Sequence, residues 1–88
     1  MLKSSDVPTV RFQPTRLREG YDMAQVDAFL LEVGAALEAC ERRLQPLLQV
    51  ARIENARFQP TRFRQGYDQD QVDNFLDDAI AALRSYGY

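Results

Sequence analysis

The 88-residue chain has no histidine, no tryptophan and only one cysteine, Cys40. Without histidine it lacks the commonest general base and the commonest metal ligand, and a single cysteine excludes an internal disulfide. We therefore expect a protein that is not an enzyme and that binds no metal or cofactor.

Long apolar runs are also missing. No stretch approaches the roughly 18 apolar residues of a membrane-spanning helix, and the first ten residues, MLKSSDVPTV, lack the apolar segment of a secretory signal. With 45% apolar and 27% charged residues, the composition is that of a folded, water-soluble protein. A cytoplasmic protein is the expectation.

What the chain does contain is a repeat. RFQPTRLREGYD at residues 11–22 returns as RFQPTRFRQGYD at residues 57–68, with Leu17 replaced by Phe63 and Glu19 by Gln65. Weaker similarity continues beyond both copies, which is typical of a duplicated supersecondary unit. We predict two modules, residues 1–45 and 46–88.

Each copy joins a basic loop to an acidic segment. Residues 11–20 carry a net charge of +2 and residues 57–66 carry +3, whereas residues 22–44 carry −3 and residues 67–88 carry −4. The overall charge of −2 is therefore the sum of opposed patches.

The Gly-Tyr-Asp turn of each copy has the features of a helix start. The aspartate can cap the helix, and a glutamine three residues later completes a capping box. The glycine before them can supply a positive φ for a sharp bend. The predicted turn residues are Gly20, Tyr21, Asp22, Gly66, Tyr67 and Asp68.

Apolar residues after each cap follow heptad-like steps of three and four. They form a predicted core or oligomer seam of Val26, Leu30, Val33, Leu37, Cys40, Leu44, Val72, Leu76 and Leu83. We predict helices over residues 23–44 and 69–85, and a short helix within residues 46–55, whereas SSDVPTV is not expected to be helical because of its central proline. The fold expected is all-α: two loop-plus-helix repeats packed along their seams as a short bundle or coiled coil, and dimeric. The connection is long enough for either parallel or antiparallel helices.

These motifs resemble the N-terminal domain of the DivIVA family of bacterial division and polar-growth scaffolds. The similar elements are a phenylalanine, a basic loop, Gly-Tyr-Asp and then Val-Asp-x-Phe-Leu, which here read Phe12, Gly20–Asp22 and Val26–Leu30. The second copy repeats them as Phe58, Gly66–Asp68 and Val72–Leu76.

The resemblance implies a membrane-associated scaffold in cell division or polar growth, at the inner face of the membrane at a septum or pole. In that family an apolar residue beside basic ones enters anionic lipid. By position, this role falls on Arg16, Leu17, Arg18, Arg62, Phe63 and Arg64. The expected partners are an anionic membrane surface, further copies of the chain and other coiled-coil division proteins.

Other interpretations of the same residues remain open. The loop arginines can pair with the acidic helices, and Leu17 and Phe63 can be buried in the core. The helical seams can bind another coiled-coil protein without any lipid contact. Nucleic-acid binding is the least favoured alternative, because the sequence pI is about 5.0 and acidic helices adjoin both basic loops.

Overall fold

Two long helices start side by side at a small antiparallel sheet in the computed structural model, which describes residues 1–88. The elements in chain order are a 3-10 helix (Ser4–Thr9), β1 (Pro14–Thr15), β2 (Gly20–Tyr21), α1 (Met23–Glu41), α2 (Val50–Glu54), β3 (Pro60–Thr61), β4 (Gly66–Tyr67) and α3 (Gln69–Ser85).

The sheet interlocks the two repeats. Its strand order is β1-β4-β2-β3, and each pairing, β1 with β4, β2 with β3 and β2 with β4, joins strands of different copies. Tyr21 lies opposite Tyr67 at its centre. The two copies are therefore related by an approximate two-fold axis that passes between these tyrosines.

This sheet corrects the expected fold class. The chain is 53% helix with a four-stranded antiparallel sheet, an α+β arrangement, and is neither all-α nor a simple coiled coil. The Pro-Thr and Gly-Tyr dipeptides of one loop find their hydrogen-bonding partners only in the other loop.

The helices run in the same direction from the sheet. Both begin two residues after a central tyrosine, and the C-terminal Tyr88, which follows α3, lies beside residues 45–51, which follow α1. The ends of both helices therefore meet on the side away from the sheet. A single core of 15 buried residues draws on both repeats.

Most of the predicted seam lies in this core. Val26, Val33, Leu37, Cys40, Val72, Leu76 and Leu83 are buried and Leu30 is half-buried. Leu44, however, is 56% exposed. The first helix ends at Glu41, not at residue 44, because Arg43 adopts a left-handed φ of 59° and turns Leu44 off the helical stripe.

Two short helices complete the core at equivalent places in the repeats. The 3-10 helix, which was not expected at SSDVPTV, places Val7 against α1, and α2 places Ile53 in the same core. Phe12 and Phe58 follow them and pack partly buried at the base of each loop.

Candidate functional site

The helix caps are shared between the two repeats. Asp22 and Asp68 accept hydrogen bonds from the backbone N–H groups of Gln25 and Gln71, both at 3.0 Å. The second half of the expected capping box is not formed. Instead, the side-chain oxygens of Gln25 and Gln71 accept from the backbone N–H groups of Gln59 and Gln13 in the opposite copy, both at 2.7 Å.

Gly20 and Gly66 have a different role from the one expected. Neither has a positive φ. A Cβ on Gly20 would lie 2.8 Å from the carbonyl oxygen of Tyr67, and one on Gly66 would lie 2.8 Å from that of Tyr21. The glycines are therefore needed for the close crossing of β2 and β4.

Each central tyrosine reaches the helix of the other repeat. The Tyr21 hydroxyl donates to Asp73 at 2.8 Å and the Tyr67 hydroxyl donates to Asp27 at 2.7 Å. Burial, reinforced by the bond to Asp73, raises the pKa of Tyr21 to about 12. Burial and the bond to Asp27 likewise raise the pKa of Tyr67. The role of these two aspartates was missed because their partners lie in the other copy.

The loops between the strands carry the predicted membrane-contact residues. We call residues 16–19 and 62–65 the tip loops. Leu17 and Phe63 are both fully exposed, so neither is buried in the core. The two tip loops line a common hollow. Leu17 and Phe63 therefore lie on neighbouring loops at the sheet end of the molecule.

Phe63 also has an unusual backbone. Its φ is 61°, in the left-handed region that bulky residues rarely occupy. Such local strain is found more often at functional sites than elsewhere.

Three of the four tip arginines form ion pairs with carboxylates of the opposite repeat. Arg18 pairs with Asp68, Arg64 with Asp22 at 3.2 Å, and Arg62 with Glu19 at 3.0 Å. Arg16 forms no ion pair. All the paired arginine side chains remain more than half exposed, so these contacts resemble surface pairs that contribute about 0–1 kcal/mol each.

The ion pair at Asp68 joins a tip loop to a helix cap. Its hydrogen bond from the Gln71 backbone N–H, followed by the nearby Arg18 guanidinium, lowers the pKa of the Asp68 carboxyl. The charged form of Asp68 is thus favoured at the point where one repeat's loop rests on the other repeat's helix.

No group of His, Cys, Asp and Glu side chains is arranged to hold a metal ion. The Cys40 thiol is buried, which raises its pKa. None of the helices combines the length and apolarity that a bilayer-spanning segment needs.

Comparison of the chain with protein-family models, with curated proteins and with solved structures finds no match.

Proposed function

We propose that this protein is a non-enzymatic, DivIVA-like membrane-associated scaffold of bacterial cell division or polar growth. In this proposal the two tip loops together contact an anionic membrane. The observation that carries it is the pair of fully exposed apolar side chains, Leu17 and Phe63, on neighbouring loops bracketed by arginines.

Two inserted tip loops should bind a membrane much more tightly than one. Transfer of an exposed leucine or phenylalanine side chain out of water contributes ~1.5–3 kcal/mol at most, and a basic residue near an anionic surface contributes about 1 kcal/mol. A single tip would therefore bind marginally. Because the sheet holds both tips on one body, entry of the first raises the effective concentration of the second at the membrane.

The ion pairs affect how much positive charge the tip loops present to lipid. Arg18 and Arg64 pair with the cap carboxylates Asp68 and Asp22, so part of their charge is offset within the protein. Arg16 carries an unpaired charge, and the exposed guanidinium groups can still donate to lipid phosphates. The loops thus support attraction to anionic lipid despite the acidic helices behind them.

The seam-based adaptor is the weaker candidate. Pairing of these seams with another coiled coil requires a continuous accessible apolar stripe, but α1 and α3 bury most of theirs within one chain. The same observation means that a second chain is not required to cover the seams.

Co-sedimentation with vesicles tests the proposal. The wild-type protein should sediment with vesicles that contain an anionic phospholipid and much less with zwitterionic vesicles. The double variant Leu17→Ser plus Phe63→Ser should lose most of this binding. Leu47→Ser is the matched control, because Leu47 is equally exposed but lies beside the C-terminal half of α1. Unchanged binding of the double variant would rule out apolar insertion.

A further inference from the structure

The approximate two-fold symmetry of the fold places two grooves at equivalent positions, but their lining residues differ in polarity and size. The first groove lies between the 3-10 helix and α1, and the second lies between α2 and α3. The walls of the first groove include Val7, Pro8, Val10, Leu30, Leu31 and Gly34. The equivalent residues of the second groove are Ile53, Glu54, Ala56, Leu76, Asp77 and Ile80.

The first groove is the larger and the more apolar of the two. Its volume is about 730 Å³, against about 510 Å³ for the second. Leu31 is 78% exposed on its rim, where the second repeat has Asp77. Single exposed leucines are ordinary, but Leu31 extends the apolar lining of an open groove to its rim.

Gly34 keeps the first groove open. It lies in the interior of α1, where glycine is among the least favourable residues. Packing does not require it, because a Cβ would make only ordinary contacts with Val7, at 3.6 and 3.7 Å. Ile80 occupies the equivalent position in the second groove. The fold therefore accepts a large side chain at this position, and the glycine leaves its space empty.

The charges around the first groove indicate what can occupy it. Helix α1 carries four acidic residues, Asp27, Glu32, Glu38 and Glu41, and no lysine or arginine. Asp27 and Glu38 border the groove, and Arg11 is the one basic residue in its lining. Arg42 lies 3.6 Å from Glu38, but both side chains stay more than half exposed, so the Glu38 carboxylate remains accessible to a partner. A second copy docked through α1 would bring two such acidic helices together, which is unfavourable. A basic partner is favoured instead.

We infer that the first groove is a docking site for an amphipathic helix of a partner protein. Its apolar residues would lie against Leu31 and Gly34, and its flanking lysines or arginines would face Asp27 and Glu38. This is the helix-in-groove mode of recognition, with anchors at i, i+3, i+4 and i+7. Because the second groove is polar and partly filled, each chain offers one such site. The inference does not depend on lipid binding.

Binding of a defined peptide tests the inference. The probe is a labelled synthetic helix with leucines at i, i+3, i+4 and i+7 and flanking lysines, titrated with the full chain in the absence of lipid and followed by fluorescence anisotropy. A second peptide has glutamates in place of the lysines. We expect saturable one-to-one binding of the lysine peptide and at least about tenfold weaker binding of the glutamate peptide.

Variants that copy the second groove locate the site. Leu31→Asp and Gly34→Ile should each weaken the lysine peptide by at least about tenfold, as expected for loss of a central anchor or its pocket. Ala81→Asp introduces the same charge on α3, outside the first groove, and should bind as the wild type does. Leu31→Asp changes an exposed side chain and so keeps the test valid if Gly34→Ile fails to fold.

Several results would overturn the inference. They are absence of saturable binding, equal binding of both peptides, and undiminished binding by a folded Leu31→Asp variant. A concentration-dependent dimer that Leu31→Asp abolishes would assign the groove to a second copy instead. Loss of vesicle binding by the tip-loop variant with peptide binding intact would leave this inference standing and concern the tip loops alone.

Discussion

Gly20 and Gly66 stand where the two repeats cross. Each is buried in the sheet and faces the backbone carbonyl of the opposite tyrosine at a distance that leaves no room for a side chain. A larger residue would push β2 and β4 apart, and with them the tip loops that these strands support.

Alanine substitutions at two glycines should have opposite effects. Gly66→Ala should reduce the free energy of unfolding by ~1–3 kcal/mol, because overpacking forces the backbone to move. Gly34→Ala should raise it by up to ~1 kcal/mol, because alanine is a better helix former and its Cβ has room. Urea unfolding measures both changes. A Gly66→Ala protein as stable as the wild type would contradict the close crossing.

The sequence indicates which residues form the tip loops but not which residues of the other repeat they contact. Leu17 and Phe63 lie between arginines in loops of Pro, Thr and Gly. The sequence leaves open whether these two residues are exposed or buried in the core, and the structure shows that they are exposed. The pairing of Arg64 with Asp22 could not be predicted, because these residues lie far apart in sequence and meet only through the interlocked sheet. The sequence predicts a bend at Gly20 and Gly66 for the same reason: the strand that passes close to each glycine belongs to the other repeat.

Local sequence patterns predict the long helices but not the strands. The cap and apolar spacing place the start of α1 and both ends of α3. The strands are only two residues long and show no alternating pattern of the kind that identifies a strand from sequence. Their partners lie in the other copy, so the sheet emerges only when the repeats are assembled.

The tyrosine hydroxyls join these strands to the opposite helices and make stability sensitive to alkaline pH. Folding raises the pKa of Tyr21 from 10.0 to about 12, so the folded state favours the protonated form. This contribution is complete below about pH 10, the unfolded pKa, and is lost as the pH rises through about 12, the folded value. The free energy of unfolding should therefore fall over this interval.

Removal of the hydroxyls tests this dependence. In Tyr21→Phe plus Tyr67→Phe, the decline in unfolding free energy between about pH 10 and 12 should be smaller than in the wild type, because neither residue 21 nor residue 67 can then titrate. Denaturant unfolding at a series of pH values measures it. Superimposable profiles of the two proteins would show that the bonds to Asp73 and Asp27 do not contribute.

In the whole molecule, the two copies of the repeat form an interlocked pair within one chain. The predicted modules, residues 1–45 and 46–88, share one core and one sheet. Covalent linkage also allows the copies to differ, and they do so at the tips, Leu17 against Phe63, and in the grooves, Leu31 against Asp77.

Cleavage between the modules should not separate them. A protease site introduced at Leu47, which is 99% exposed in the connection, should yield two fragments that elute together in size-exclusion chromatography. Each fragment holds half of the core and strands without their partners. Unfolding of the cut protein should become concentration-dependent, as expected for an associated pair. Two fragments that elute separately as folded monomers would contradict the interlocked arrangement.

A tryptophan at the second tip loop would report whether the tip loops enter an anionic membrane, as we propose. The chain contains no tryptophan, so Phe63→Trp introduces a single reporter at a fully exposed position, and Leu47→Trp provides a matched control away from the tips. With anionic vesicles, the emission of Phe63→Trp should shift to shorter wavelength as the indole leaves water, while that of Leu47→Trp stays unchanged. If the emission of Phe63→Trp stays at its aqueous wavelength on vesicle-bound protein, the tip loops do not enter the membrane.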